Sequence, residues 1–260
     1  MQGRLAALYR HPVKGFTPEP LSSARLETGR CFPCDRLYAV EDGPSGFDPD
    51  NPRHISKMRF AVLAKIAEVA RVVTAYDEAS GELRVEAEGQ GTFRAVLTTE
   101  TGRVAFADWL QAFLGERASG PLRVLTAPGD HRFMDDRRGF VSVINMESVR
   151  ALEARVGRSL DPLRFRANLY VEGWDAWAEN EAIGGTVRIG EGVRARVVKP
   201  TGRCRATHVD PRRGVEDIDL VSQLFNHFGH TILGVYLDVD AGGRVAEGDA
   251  VNLERAEAPL

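Results

Sequence analysis

The sequence is poor in cysteine, in lysine and in long apolar runs. Three cysteines stand among 260 residues. An odd count with no export signal argues against a disulfide framework. It also falls short of the roughly four thiolates that hold an iron–sulfur cluster. No apolar stretch approaches the roughly 18 residues of a membrane-spanning helix. The opening MQGRLAALYRHPVKG carries neither an apolar signal core nor a cleavage site, so a cytoplasmic protein without membrane association is expected. Excess charge is missing too. A net charge of −3 gives no electrostatic support for a nucleic-acid partner. Only Lys14, Lys57, Lys65 and Lys199 are lysines, against abundant arginine. No single arginine is therefore informative, and a lysine in a loop carries more weight. No 20–50-residue repeat, low-complexity tract or GxxxxGK phosphate loop is present.

What the sequence holds is strand-like. RLAALYRH, LSSARLET and DRLYAVE are β-rich and broken by Pro and Gly. EDGPSGFDPDNPRH reads as a long polar loop of the kind that often carries function. FAVLAKIAEVARVVTAYD is ambiguous between helix and strand. GELRVEAEGQGTFRAVL reads as a hairpin around Gly89–Gly91, and RVAFADWLQAFLG as a helix stopped by Gly115. SVINMESVRALEARVG reads as a strand running into a helix, with Asn145 as its cap and Gly157 as its stop. LVSQLFNHFGH reads as a short helix among further strands. A boundary in GERASGP divides the chain into residues 1–119 and 120–260. The expected class is mainly β with a few helices (α+β), barrel-like, and not a series of βαβ units.

Candidate chemistry gathers at a few places. In RFRAN, a strand would put Arg164, Arg166 and Asn168 on one face, a set able to grip a phosphate. The plainer alternative is a solvated edge strand. Lys14 in HPVKGF follows a turn, and Arg36 in CDRLYAV opens a strand; each reads as an anion contact or as plain surface. Cys31 and Cys34 form a C-x-x-C without a partner motif, either a redox or zinc half-site or two ordinary thiols. Cys204 lies in PTGRCRATHVDP, just past a strand. Pro211 after Asp210 argues against a helix there, which weakens a Cys204–His208 hydrolase pair. Arg203 and Arg205 beside it favour a thiolate, a soft metal ligand. A small buried bystander is the competing reading.

Taken together, GRCRATHVDPRRG, LGVYLDVDAGGRVAEGD and RFRANLYVEG resemble the cysteine loop, closing strands and Arg-x-Asn strand of MOSC domains. HPVKG and CDRLYAV resemble the N-terminal β-barrel domain that accompanies MOSC in the mitochondrial amidoxime reducing component and its bacterial relatives. The resemblance covers nearly the whole chain. It implies a β-barrel MOSC domain over 120–260, packed with an N-terminal β-rich barrel-like domain over 1–119. It also implies a molybdenum cofactor of the molybdopterin type. Cys204 would be the metal ligand and catalytic residue. Lys14, Gly15, Arg36, Arg138, Gly139, Arg166, Asn168, Arg203 and Tyr236 would fall at cofactor-contact positions. The chain departs from the family at Gly15, where serine is common, and at Arg138 and Gly139, where small hydroxyl residues are common. The implied activity is reduction of N–O bonds in N-hydroxylated small molecules, with electrons from a separate donor protein. The alternative is a carrier that holds the cofactor, or a Cys204 persulfide, for delivery elsewhere.

Overall fold

The computed structural model describes residues 1–256. Its centre is a barrel closed by seven strands: β10 (Leu169–Glu172), β9 (Val141–Asn145), β13 (Ile232–Ala241), β12 (Val193–Gly202), β11 (Thr186–Ile189), β15 (Ala250–Glu254) and β1 (Gln2–Arg10), the last pairing back to β10. Alternation fills its interior. Val193, Ala195 and Val197 of β12 point in, while Arg194 and Arg196 point out. In β1 both Leu5 and Leu8 are buried, although three residues apart. A register shift between Leu5 and Ala7 changes the phase of the strand and turns both inward. Trp174 plugs the barrel beside them, its indole N–H donating to the Val251 carbonyl at 3.2 Å.

β9 and β10 run parallel, joined through helix α2 (Met146–Val156). VSVIN is therefore covered on both faces. Val141 and Val143 enter the barrel core, and Ile144 packs with Val149, Leu152 and Leu224 under α2 and α4 (Leu220–Phe228). Short helix α3 (Ala178–Glu181) lies against β12 and β13.

The rest of the first half has its own core. β4 (Tyr38–Asp42) pairs with β8 (Leu122–Thr126), and β5 (Val73–Asp77), β6 (Glu82–Ala87) and β7 (Gly91–Val96) form a meander. Helix α1 (Glu100–Leu114), capped by Thr99 and stopped at Gly115, buries Phe106, Leu110 and Leu114 among them. β2 (Glu19–Leu21) extends the barrel sheet at β1, and β3 (Ser23–Leu26) pairs with β14 (Gly243–Ala246).

The mainly β, barrel-containing class expected from the sequence is the one observed. The hairpin at Gly89–Gly91, the stop at Gly115, the Asn145 cap and the Gly157 stop stand where the pattern put them. The ambiguous stretch resolves into a short 3-10 turn over Ala67–Arg71 followed by β5. The partition at 119/120 is crossed three ways, by β1 in the barrel, by β3 on β14 and by β4 on β8. RFRAN is not a strand. Asp161 caps a 3-10 turn over Pro162–Phe165, its carboxylate accepting from the Leu163 N–H at 3.0 Å. Arg166 then takes a left-handed φ of 53°, and pairing begins only at Leu169. An Asp cap followed by Pro at the first helical position is the local signal that overrode the alternation. Among the described residues no helix is long and apolar enough to cross a membrane.

Candidate functional site

A cleft of about 200 Å³ opens where the barrel meets the first-half core. Cys204 sits at its edge, just beyond the end of β12. Both the N–H and the hydroxyl of Thr207 donate to the Cys204 carbonyl at 2.9 Å, fixing the loop as one 3-10 turn over Arg205–His208. The Lys57 ammonium donates to Cys204 Sγ at 3.0 Å. Lys57 comes from the end of the long polar loop, 147 residues away in sequence. Burial works against its charge, but Asp135 and Cys204 outweigh that and raise its pKa.

Asp135 joins two lysines. It accepts from Lys14 Nζ at 2.5 Å and lies 3.5 Å from Lys57 Nζ. Its place in the cleft wall would push its carboxyl up, yet Lys14, Lys57 and Arg36 hold it well below the usual carboxylate range. Lys14 is buried and also donates to the Phe133 carbonyl at 2.9 Å; burial lowers its pKa despite Asp135. Gly15 follows with φ +90°, and a Cβ there would come within 2.8 Å of Val62. Glycine at this position is thus a steric requirement of this chain.

The opposite wall is built on arginine. Arg166 donates to the Phe16 carbonyl at 2.6 Å, and its pKa falls to about 10 through burial first and Arg36 second. Arg203 donates to the carbonyls of Leu233 and Phe165, each at 2.8 Å, and stacks on Phe165; burial lowers its pKa as well. Arg36, with φ 49°, reaches the Arg166 carbonyl at 3.2 Å and pairs with Asp35. Two of the cleft arginines thus stand in the left-handed region, which costs a non-glycine residue about 1–2 kcal/mol and is characteristic of functional sites.

Asp35 is fully buried and ties these walls together. Besides Arg36, it accepts from the His11 N–H at 2.6 Å and from Asn168 Nδ2 at 3.1 Å. Asn168 uses its oxygen for Ser142, accepting from N–H at 3.1 Å and from Oγ at 2.9 Å. It lines the cleft as a fastener between walls. Tyr236 closes one end, its ring 6.1 Å from Phe140, and burial raises its pKa. Thr201 Oγ1 is buried in the same lining without a hydrogen-bond partner.

The cleft thus gathers Cys204, Lys14, Gly15, Arg36, Arg166, Asn168, Arg203 and Tyr236. Arg138 and Gly139 are not in its lining. Arg138 is exposed, stacked on the far side of Phe140, and Gly139 packs against Cys31. Cys31 and Cys34 lie in a separate groove with Arg138. Burial raises both thiols, Cys34 to about 11 with help from Glu78, so neither is poised as a thiolate. Arg205 turns outward to Glu216, and His208 faces Asp219 at 3.0 Å. Asp210 accepts from the N–H groups of Arg212 and Arg213 at 2.9 Å and is a turn residue. The cation in contact with Cys204 is Lys57, which reasoning from neighbours in sequence missed. Its only advance signal was being a rare lysine at the end of a long loop.

Two family models match, one to each half: the MOSC domain at residues 128–252 and the MOSC N-terminal beta barrel domain at residues 2–117. The chain belongs to the MOSC-domain proteins. No curated protein matches it. Among solved structures, the YuaD protein of Bacillus subtilis aligns with TM-score 0.47 and 12% identity over 99% of this chain and 98% of its own. YiiM of Geobacillus stearothermophilus aligns with TM-score 0.33 and 17% identity over 44% of this chain and 54% of its own. MOSC domains are associated with binding of the molybdenum cofactor.

The cleft residues of this MOSC protein fit such a group. Lys14, Arg36, Lys57, Arg166 and Arg203 are buried or half-buried cations lining the cleft, whose charge an anion would stabilise. The Thr201 hydroxyl is buried in the same lining without a hydrogen-bond partner. Among the described residues no three His, Cys, Asp or Glu side chains converge as a metal-binding group. A metal at Cys204 would have to bring its other ligands with it, as a dithiolene does.

Proposed function

We propose that this MOSC protein binds the molybdenum cofactor and reduces N–O bonds of N-hydroxylated small molecules. The supporting observation is the Cys204 thiol held against Lys57 in a cleft walled by half-buried guanidiniums from both halves of the chain. In this reading Cys204 Sγ is the sole protein ligand to the metal. Arg166, Arg203 and Arg36 hold the pterin and its phosphate, Lys14 adds charge, and Thr201 offers a hydroxyl. When bound, the cofactor supplies a two-electron centre with an open position for the oxygen of an N–O bond.

The chain's own residues supply charge and orientation. Lys57 and Asp135 form a charged pair beside Cys204, suited to orienting a polar substrate there. A hydroxylamine takes up two electrons and two protons and leaves as amine and water. The electrons come from a separate donor protein, and the reaction is placed in the cytoplasm.

The test is protein purified from a molybdenum-replete host. Metal and extracted pterin are quantified, and reduction of an amidoxime is then assayed with an artificial electron donor. Near-stoichiometric molybdenum and turnover are expected, both lost in Cys204→Ala. Absence of molybdenum from the wild-type protein would overturn the reading. Bound cofactor without turnover would assign a carrier.

A further inference from the structure

Behind the 132–140 segment, on the side away from Cys204, runs an open groove of about 1030 Å³. Arg25, Arg132, Arg138 and Arg244 line it, and none forms an ion pair among the described residues. The groove's carboxylates do not answer them. Asp130 pairs with Arg30, and Glu78 lies 3.7 Å from Arg10. Glu27 alone is left without an ion pair.

Among the described residues, Arg25, Arg132, Arg138 and Arg244 lack carboxylate partners even where two of them face each other. Arg25 and Arg244 stand directly opposite each other across the β3–β14 ribbon. Like charges in that position repel. Two other ribbons also place arginines opposite each other, Arg84 with Arg94 and Arg188 with Arg194, but there Arg84, Arg94 and Arg188 each reach a carboxylate, Glu86, Glu82 and Glu254 respectively. Arg132 donates to the carbonyls of Gly129 at 2.9 Å and His131 at 2.6 Å, yet its Nε is buried without a partner. The Arg138 guanidinium carbon lies 4.6 Å from the Phe140 ring centroid, and its N–H groups make no ion pair among the described residues.

We infer that this groove docks an acidic segment of a partner protein. The guanidiniums come from β3, β14 and the 132–138 segment, spread along a groove far larger than a single phosphate or sulfate fills. Several carboxylates spaced along a polypeptide match that spread, and planar guanidinium forks suit carboxylates. An occupant would lie across one segment from the cleft, because Phe140 carries Arg138 on one side and lines the cleft beside Tyr236. The inference stands apart from the cofactor reading and needs no cofactor for its test.

The test is fluorescence anisotropy of a labelled oligoglutamate peptide titrated with the full chain. Saturable binding at about 50 mM salt is expected, weakening as salt screens the charges. Arg25→Glu is expected to weaken binding about tenfold, whereas Arg155→Glu, an equal charge change on the exposed side of α2, leaves it unchanged. Arg25→Glu replaces a like-charge pair with an Arg–Glu pair, so its thermal midpoint is expected to equal or exceed that of the parent. Lost binding would then not reflect lost folding. Should that variant misfold, Arg138→Glu, outside both strands, gives the same reading. No binding at low salt, undiminished binding in these variants, or displacement of the peptide by inorganic phosphate at matched charge would overturn the inference, the last in favour of a small-anion site.

Discussion

Asp35→Ala is the most informative single perturbation of the cleft. The side chain is fully buried and serves the His11 N–H at 2.6 Å, Asn168 Nδ2 at 3.1 Å and the Arg36 guanidinium. Its removal takes the acceptor from the buried His11 N–H and the counter-charge from Arg36, and leaves Asn168 Nδ2 only the Tyr9 carbonyl at 3.3 Å. Breaking a buried ion pair from one side costs about 3–5 kcal/mol, because the surviving charge stays desolvated. Arg36 is 15% exposed and can recover some hydration, which argues for the middle of that range, about 4 kcal/mol. For a chain of this size that corresponds to a fall in melting temperature of roughly 10 °C. Thermal and urea unfolding followed by circular dichroism measure it. The double variant Asp35→Ala/Arg36→Ala separates causes, since it also removes the stranded cation. It should be more stable than Asp35→Ala alone by about 1–2 kcal/mol. A drop of less than about 3 °C in Asp35→Ala, or no recovery in the double variant, would refute the view that Asp35 neutralises Arg36 and fastens the walls.

Gly15→Ala should destabilise by about 1–3 kcal/mol, because φ +90° and a Val62 contact at 2.8 Å both oppose a Cβ; an unchanged urea midpoint would contradict this. Trp174→Phe keeps most of the apolar fill but removes the indole N–H donor to the Val251 carbonyl, at a cost of about 0.5–1.5 kcal/mol by the same measurement. Burial raises the pKa of Glu179, against the hydrogen bonds from Asn145 and Ser148. Its stabilising contribution is therefore complete below the ordinary glutamate pKa of about 4.3 and is lost as pH rises through the higher folded value. Glu179→Gln should accordingly gain on the parent between acidic and neutral pH. A stability difference that stays constant with pH would show that the carboxyl does not titrate with folding.

Local chemistry made much of the fold legible. Caps and stops such as Asn145, Gly115 and Gly157 act within a few residues, so sequence displays them directly. Arg164, Arg166 and Asn168 all line the cleft, but not as one face of a strand. Alternation suggested a strand, whereas Asp161 and Pro162 start a 3-10 turn and Arg166 takes the left-handed region. Arg164 in consequence points to Asp217 at 2.8 Å, while Arg166 reaches Phe16. The cleft's long-range partners were illegible for a different reason. Lys57 meets Cys204 across 147 residues, and Asp135 meets Lys14 across 121. Neither pairing leaves a local pattern. Arg138 and Gly139 were assigned to the site by position in a motif, yet a turn of the backbone at Gly139, φ +65°, sends them to the other side of the segment.

The closure of the barrel by β1 also orders events in time. β1 bonds to β15 through Gln2↔Asn252, Gly3↔Val251 and Arg4↔Ala250, and to β10 on its other edge. During synthesis β1 emerges about 250 residues before β15, so the ring cannot shut until β15 has left the ribosome. Pairings of such sequence separation form slowly, and until then β1 and β11 keep open edges that invite wrong partners. The cleft takes one wall from each half of the chain. A cofactor that requires both walls would engage only complete, closed molecules, so occupancy would act as a proofreading step for assembly, one that chains stalled before β15 fail.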